Sequence, residues 1–206
     1  MLKLYSMPSS GNSYKVRLLL HQLGISFEHI DCEVGSGVTT SDWFRAKNPN
    51  GKVPLLELED GRLIAESNAI LLYLAHDSAY LPTERYACAK VHEWLFFEQN
   101  FHEGTIATRQ AIFKYENRAH LRTPEHLDPL LVSGHRALGV MEAQLEKTPF
   151  IAGDSYTVAD IALYAYTHTA GEIGKFDMDR FPFINKWLKK ISEQKDYVSL
   201  NWLPAT

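Results

Sequence analysis

Leu2-Lys3-Leu4-Tyr5-Ser6-Met7-Pro8-Ser9-Ser10-Gly11-Asn12-Ser13, followed at helical spacing by Val16, Leu19, Leu20 and Leu23, decides how the rest of the chain is read. Leu2 to Tyr5 alternates as a short strand does, and the later apolar residues recur as the buried stripe of a helix that Gly24 closes. Between strand and helix, Ser9 to Ser13 are small and polar. They leave the N–H groups of the helix's first turn open, and a helix N-terminus, with unpaired donors and partial positive charge, favours an anion. Ser and Asn are also ordinary N-caps, so the stretch alone is equally a plain turn.

Downstream, Phe27-Glu28-His29-Ile30-Asp31-Cys32 alternates again and predicts a second strand. Residues 33–40, with Gly35 and Gly37, predict a flexible loop, after which Ser41-Asp42 caps a short helix holding Trp43 and Phe44. Asn48-Pro49-Asn50-Gly51 is a turn signal, because Asn and Gly tolerate positive φ and Pro restricts its neighbour. Lys52 to Leu58 predicts a third strand, Asp60-Gly61 a tight hairpin, and Arg62-Leu63-Ile64 a fourth strand. Glu66-Ser67 then opens a helix faced by Ile70, Leu71 and Leu74. The order β-α-β-α-β-β-α over residues 1–77 is an α/β thioredoxin-like arrangement. Pro54 at a strand start invites a cis Val53-Pro54 peptide, which would turn the Val53 backbone toward an extended peptide ligand.

Residues 75–83 read as a linker, and from Glu84 the strand cues vanish. Val91, Trp94 and Leu95 begin a helical stripe that runs on through Glu98, His102 and Thr105. Leu127, Leu131, Gly134, Leu138, Met141 and Leu145 predict another long helix. Thr157-x-x-Asp160 is a capping box opening a central helix with Val158, Ile161, Ala162 and Ala165 on its buried face, and Ile184, Trp187, Leu188 and Ile191 mark the next. Residues 84–206 therefore predict an all-α C-terminal domain.

A length of 206 residues allows one or two domains, and a net charge of −4 gives no reason to expect nucleic acid or an acidic membrane surface. No apolar run approaches the ~20 residues that span a bilayer, and the N-terminus starts directly on a strand pattern, so neither membrane nor signal peptide is expected. Cys32 and Cys88 are isolated and predict packing thiols in a reducing compartment, which places the protein in the cytoplasm. His92-Glu93 and His102-Glu103 do not complete HExxH, and no metal is expected.

Ser10-Gly11-Asn12-Ser13 stands where thioredoxin-like and glutaredoxin-like proteins carry CxxC, and Asn48-Pro49-x-Gly51-Lys52-Val53-Pro54, Asp60-Gly61 and Glu66-Ser67-Asn68-Ala69-Ile70 follow in register. Together these resemble the glutathione site of soluble glutathione transferases of the bacterial, serine-loop type. Phe150 to Ala162 resembles the folding signature of their C-terminal domain, so the likeness spans nearly the whole chain. It implies a homodimeric detoxification enzyme that joins glutathione, its co-substrate, to a small hydrophobic electrophile. By that resemblance Ser67 and Glu66 hold the γ-glutamyl end, Val53 beside Pro54 pairs with the cysteine backbone, and Lys52 meets the glycine carboxylate. Ser10 is the expected donor to the thiolate, with Asn12 and then Ser9 as alternatives. Glu98 would reach the γ-glutamyl ammonium of the partner chain. His102, Ile106, Arg109, Phe113 and Tyr166 would line an apolar second-substrate pocket between the domains. The loop lacks cysteine, so dithiol redox of the thioredoxin kind cannot run there. A disulfide reductase or peroxidase in which glutathione supplies every thiol is the second reading, and a non-enzymatic binding module the third.

Overall fold

The computed structural model describes residues 1–204. Strand β1 (Leu2–Ser6) lies inside a four-stranded sheet of order β2-β1-β3-β4. It pairs in parallel with β2 (Phe27–Asp31), Leu4 opposite His29, and antiparallel with β3 (Leu55–Glu57), Leu4 opposite Leu56. β4 (Leu63–Ala65) completes the hairpin with β3. The third strand is shorter than expected, starting at Leu55 rather than Lys52: Pro54 has no N–H for the ladder, and the Val53-Pro54 peptide is cis, as its position suggested.

Period-2 alternation divides this unit into two cores. Leu4 and Leu56 point to one face, where they meet Val16 and Leu20 of α1 (Gly11–Gln22) and Ile70 of α3 (Ser67–Ala75). Tyr5 and Leu55 point to the other, against Phe44 of α2 (Asp42–Lys47) and Cys32. Phe44 is fully buried, which stabilises this small helix on the sheet by about 1.5–3 kcal/mol. Helix α1 ends in a Schellman motif: Gly24 takes φ 66°, its N–H reaches His21 O, and the Ile25 N–H reaches Leu20 O at 2.9 Å.

The chain divides into two compact units, and the division differs from a cut at the linker. The second unit runs from Ala79 to Glu193, while the segment from Gln194 onward returns to the first, where Trp202 packs against the core that contains Leu4 and Phe27. In the second unit α4 (Arg85–Phe97) is capped by the Glu84 carboxylate, and the helix continues as a π-helical segment, Glu98–Ala107, before α5 (Thr108–Lys114). The sequence stripe gave no sign of that widened turn. Long α6 (Pro124–Leu145), α7 (Val158–Thr167) and α8 (Pro182–Ser192) complete the unit.

The Thr157–Asp160 capping box is present, and its carboxylate does more than cap. Asp160, fully buried, accepts from the N–H of Ile151 (2.8 Å), the N–H of Thr157 (3.0 Å) and the indole N–H of Trp187 (2.8 Å), tying the start of α7 to α8. Burial outweighs those donors and pushes its carboxyl up to about 6. Asp160→Ala orphans all three donors and is expected to cost about 3–5 kcal/mol in denaturant unfolding. Because the folded pKa lies above the unfolded value of 3.8, the stabilisation from this group is complete below about pH 4 and lost as pH rises through about 6. The stability gap between wild type and Asp160→Asn should therefore narrow from pH 4 to pH 7.

Candidate active site

Parallel pairing of β1 with β2 sends the chain across through α1 and stands the α1 N-terminus at the carboxyl end of β1. The loop between them is tied from several sides. The Ser10 N–H donates to Met7 O at 3.0 Å, and the Met7 N–H donates to Ser13 Oγ at 3.1 Å. Ser10 is the N-cap of α1; its extended backbone (φ −84°, ψ 129°) carries Oγ to the Ser13 N–H at 3.3 Å.

The three candidate donors separate here. Ser9 gives both its N–H (3.0 Å) and its hydroxyl proton (2.7 Å) to the carboxylate of Glu33, so that proton is committed. Asn12 points its carbonyl oxygen at the Ser67 hydroxyl, 3.2 Å away. Ser10 Oγ accepts from Ser13, and its own proton meets no acceptor among the described residues.

Helix α3 brings a second N-terminus alongside. Glu66, its N-cap, holds φ 69°, a value that costs a non-glycine residue about 1–3 kcal/mol and is characteristic of functional sites. Its exposed carboxylate has no partner among the described residues. Ser67 is buried; its hydroxyl donates to Asn12 and accepts from Lys15 Nζ at 3.4 Å. Lys15 is fully buried, so a whole positive charge stands behind the helix's partial one. An anion arriving at this turn meets both.

Between the two helix starts lies the cis bond. Val53 is half-buried, and among the described residues none takes its N–H or carbonyl. Pro54 is buried, and the Asn48 side-chain amide donates to Lys52 O at 2.7 Å, fixing the approach to the bond. Lys52 is exposed, its ammonium unpaired among the described residues. Ser9, Ser10, Asn12 and Ser67 are thus brought together, with Glu66 beside Ser67 in the chain.

The residues expected from the helical region fare differently. Glu98, His102 and Ile106 are fully buried and have no open surface to offer a ligand, so the structure does not support a partner-chain role for Glu98 or a pocket role for the other two. The physical reason is the π-helical segment, which turns Glu98, His102, Thr105 and Ile106 inward together. His102 Nε2 lies 2.9 Å from Thr167 Oγ1, whose single proton goes to Leu163 O at 2.7 Å, so Nε2 carries the ring proton and donates. Arg109 is spent on structure as well: Nε donates to Gly174 O and Nη1 to Leu127 O, each at 2.7 Å, and its guanidinium lies over the rings of Phe113 and Phe176. Phe113 and Tyr166 remain half-buried.

Sequence reading passed over Glu33 and two buried cations, Lys15 and Arg17. The signal was present: Lys15 and Arg17 flank Val16 and run directly into Leu18-Leu19-Leu20, and burying a charge requires partners.

The comparisons with known proteins agree with this geometry. Residues 4–81 match the family model for the glutathione S-transferase N-terminal domain, and residues 124–190 the model for the C-terminal domain. A crystal structure of glutathione S-transferase from Pseudomonas fluorescens is 44% identical, covers 97% of this chain and 98% of its own, and superposes with a TM-score of 0.92. Another glutathione transferase family member from that organism, solved with two glutathione bound, is 25% identical over 95% of this chain and 89% of its own, with a TM-score of 0.84. The disulfide-bond oxidoreductase YfcG of Escherichia coli is 27% identical over 93% of this chain and 90% of its own. The chain belongs to the glutathione S-transferase family.

At the α3 turn, Ser67→Ala removes the hydroxyl that joins Asn12 to Lys15. Titration with glutathione should show affinity about tenfold weaker.

Proposed function

We propose that this glutathione transferase binds glutathione across the α1 and α3 N-termini and joins its sulfur to a small hydrophobic electrophile. The γ-glutamyl carboxylate meets the α3 turn at Ser67, with Lys15 behind it, and Glu66 accepts from the ammonium. Val53 pairs with the cysteine backbone as an added strand would, and Lys52 answers the glycine carboxylate. The thiol then falls at the α1 N-terminus. A free thiol has a pKa of about 8.5; a helix dipole and one hydroxyl donor stabilise the thiolate and increase the nucleophile available at neutral pH. The thiolate attacks the electrophilic carbon, a C–S bond forms, and the leaving group departs or, in an addition, the carbon skeleton takes up a proton.

One observation carries the assignment of the donor: the Ser10 hydroxyl retains an uncommitted proton at the helix start, whereas Ser9 has given its proton to Glu33. Of the five residues expected at a second substrate, Phe113 and Tyr166 are the two that keep accessible surface. A homodimer in the cytoplasm is part of the same reading. An apolar hollow of about 640 Å³, lined by Trp94, Phe97, Phe101 and Val140 on the second unit, and an exposed Phe96 support the dimer; sedimentation would test it.

A second reading has its own support, in the likeness to a disulfide-bond oxidoreductase and to a protein holding two glutathione. In that chemistry bound thiolate attacks a disulfide, one thiolate leaves, and a second glutathione resolves the mixed disulfide. Cys32 is unsuited to a part in it, being buried with its pKa pushed up to about 11. Both cysteines are free.

An aromatic halide and a small disulfide, assayed side by side with glutathione, decide between the two. Conjugation of the halide is expected to dominate; disulfide turnover without conjugation would replace the first reading with the second. In the conjugating enzyme, Ser10→Ala should raise the pKa of bound thiol by about one pH unit, read from thiolate absorbance. If Asn12→Ala raises it and Ser10→Ala does not, the donor is Asn12.

A further inference from the structure

The first unit contains a fully buried guanidinium that the mechanism above does not use. Arg17, on α1, has two terminal nitrogens with four N–H groups, and each finds an oxygen. Nη1 donates to Ser6 Oγ at 2.6 Å and Met7 O at 3.1 Å; Nη2 donates to Pro8 O at 2.8 Å and Leu200 O at 2.6 Å. Only Nε is without a partner. Three of these acceptors belong to the run that leads directly into Ser9 and Ser10. The fourth belongs to the C-terminal segment, 183 positions away in sequence.

That segment is clamped along the same helix. Tyr14 donates its hydroxyl to Val198 O at 2.7 Å, and His21 Nδ1 lies 2.9 Å from Asp196 O. His21 also stacks edge-on with Trp202, ring centroids 4.6 Å apart, and Trp202 packs on Phe27. Tyr14, Arg17 and His21 recur at i, i+3 and i+7, so one stripe of α1 holds the carbonyls of Val198, Leu200 and Asp196.

We propose that Arg17 is a positioning residue for the thiol site and that the C-terminal segment forms part of that site's support. A single nitrogen joins Pro8, one residue ahead of the Ser9-Ser10 turn, to Leu200. Movement of the segment is therefore felt at the Ser10 hydroxyl. A planar fork is required for this, because one ammonium cannot span four separated oxygens. All four acceptors are neutral. The charged and titratable groups around Arg17 are Glu33 after β2, Tyr14 on its own helix and His29 on β2, and burial lowers the guanidinium's pKa to about 10. The cation still remains charged at neutral pH, bonded to the carbonyl of the residue that precedes the serine turn.

The inference rests on the reading of the Ser10 loop as the thiol site, and the experiment separates the two. Amide hydrogen exchange at residues 7–13 is measured on the unliganded full chain, and thiolate absorbance on the glutathione complex. Arg17→Lys keeps the charge and loses the fork. It is expected to speed exchange at Ser10 about tenfold, raise the bound-thiol pKa by about one pH unit and lower kcat/KM about tenfold. Tyr14→Phe and Trp202→Ala loosen the segment without touching the loop. Both should shift exchange and thiol pKa in the same direction by a smaller amount. Loss of thermal stability with an unchanged thiol pKa and unchanged loop exchange in all three variants would overturn the proposal. So would a response to Arg17→Lys with none to Tyr14→Phe and Trp202→Ala, which would detach the C-terminal segment from the loop. A wild-type protein that binds no glutathione would overturn the thiol-site reading instead, and the exchange data alone would then decide whether segment and loop are coupled.

Discussion

The parallel pairing of β1 with β2 is the constraint from which the site follows. Two parallel neighbours cannot be joined by a hairpin, so the chain must cross over, and the crossover here is α1. The helix therefore begins where β1 ends, and its unpaired N–H groups face the end of the sheet rather than bulk loop. The β3–β4 hairpin on the other side of β1 then delivers α3 with the same polarity, and the Ser67–Asn12 hydrogen bond at 3.2 Å joins the two helix starts. Two partial positive charges converge, with a buried lysine behind one and a buried arginine behind the other. That arrangement is built for an anionic peptide before any catalytic residue is considered.

Electrostatics of this kind is expensive for the fold, and the chain meets the cost locally. The two terminal nitrogens of Arg17 have four oxygens for their four N–H groups, leaving only Nε–H unmatched, and the Glu33 carboxylate takes the Ser9 N–H and hydroxyl. These bonds hold residues 6–9 so closely that the position of the next hydroxyl, Ser10, is determined by its neighbours. A serine is a weak acid with one proton to give; its usefulness depends on that proton having nowhere else to go. The division of labour between Ser9, which anchors the loop, and Ser10, which keeps a proton, arises from the placement of one carboxylate.

The helical unit applies the same rule to a different end. Glu98, His102, Arg109 and Asp160 are polar groups buried in an interior, and each is hydrogen-bonded to a neighbouring residue. None of them is thereby a ligand contact. Their bonds specify how α4 to α8 pack, Asp160 most plainly, since it joins the start of α7 to the indole of Trp187. The distinction between a buried polar residue that organises a core and one that faces a substrate is one of accessible surface.

Much of this was legible in the chain itself. Alternation at Leu2–Tyr5 and Phe27–Cys32, the Asp60-Gly61 turn and the Thr157–Asp160 box are local signals, governed by contacts within a few residues, and they determine the elements and their order. The Val53-Pro54 and Glu66-Ser67 pairs were likewise readable, because each marks the start of an element. Tertiary structure alone decided which of three adjacent donors keeps its proton, since Glu33 reaches Ser9 from 24 residues away. It alone turned Glu98, His102 and Ile106 inward, because a π-helical widening is set by what packs around the helix rather than by its own periodicity. It alone returned the C-terminal segment to α1, through Val198 and Leu200 carbonyls whose side chains carry no trace of the bond. A backbone acceptor is the same at every residue, so no sequence pattern distinguishes the one that a distant guanidinium selects.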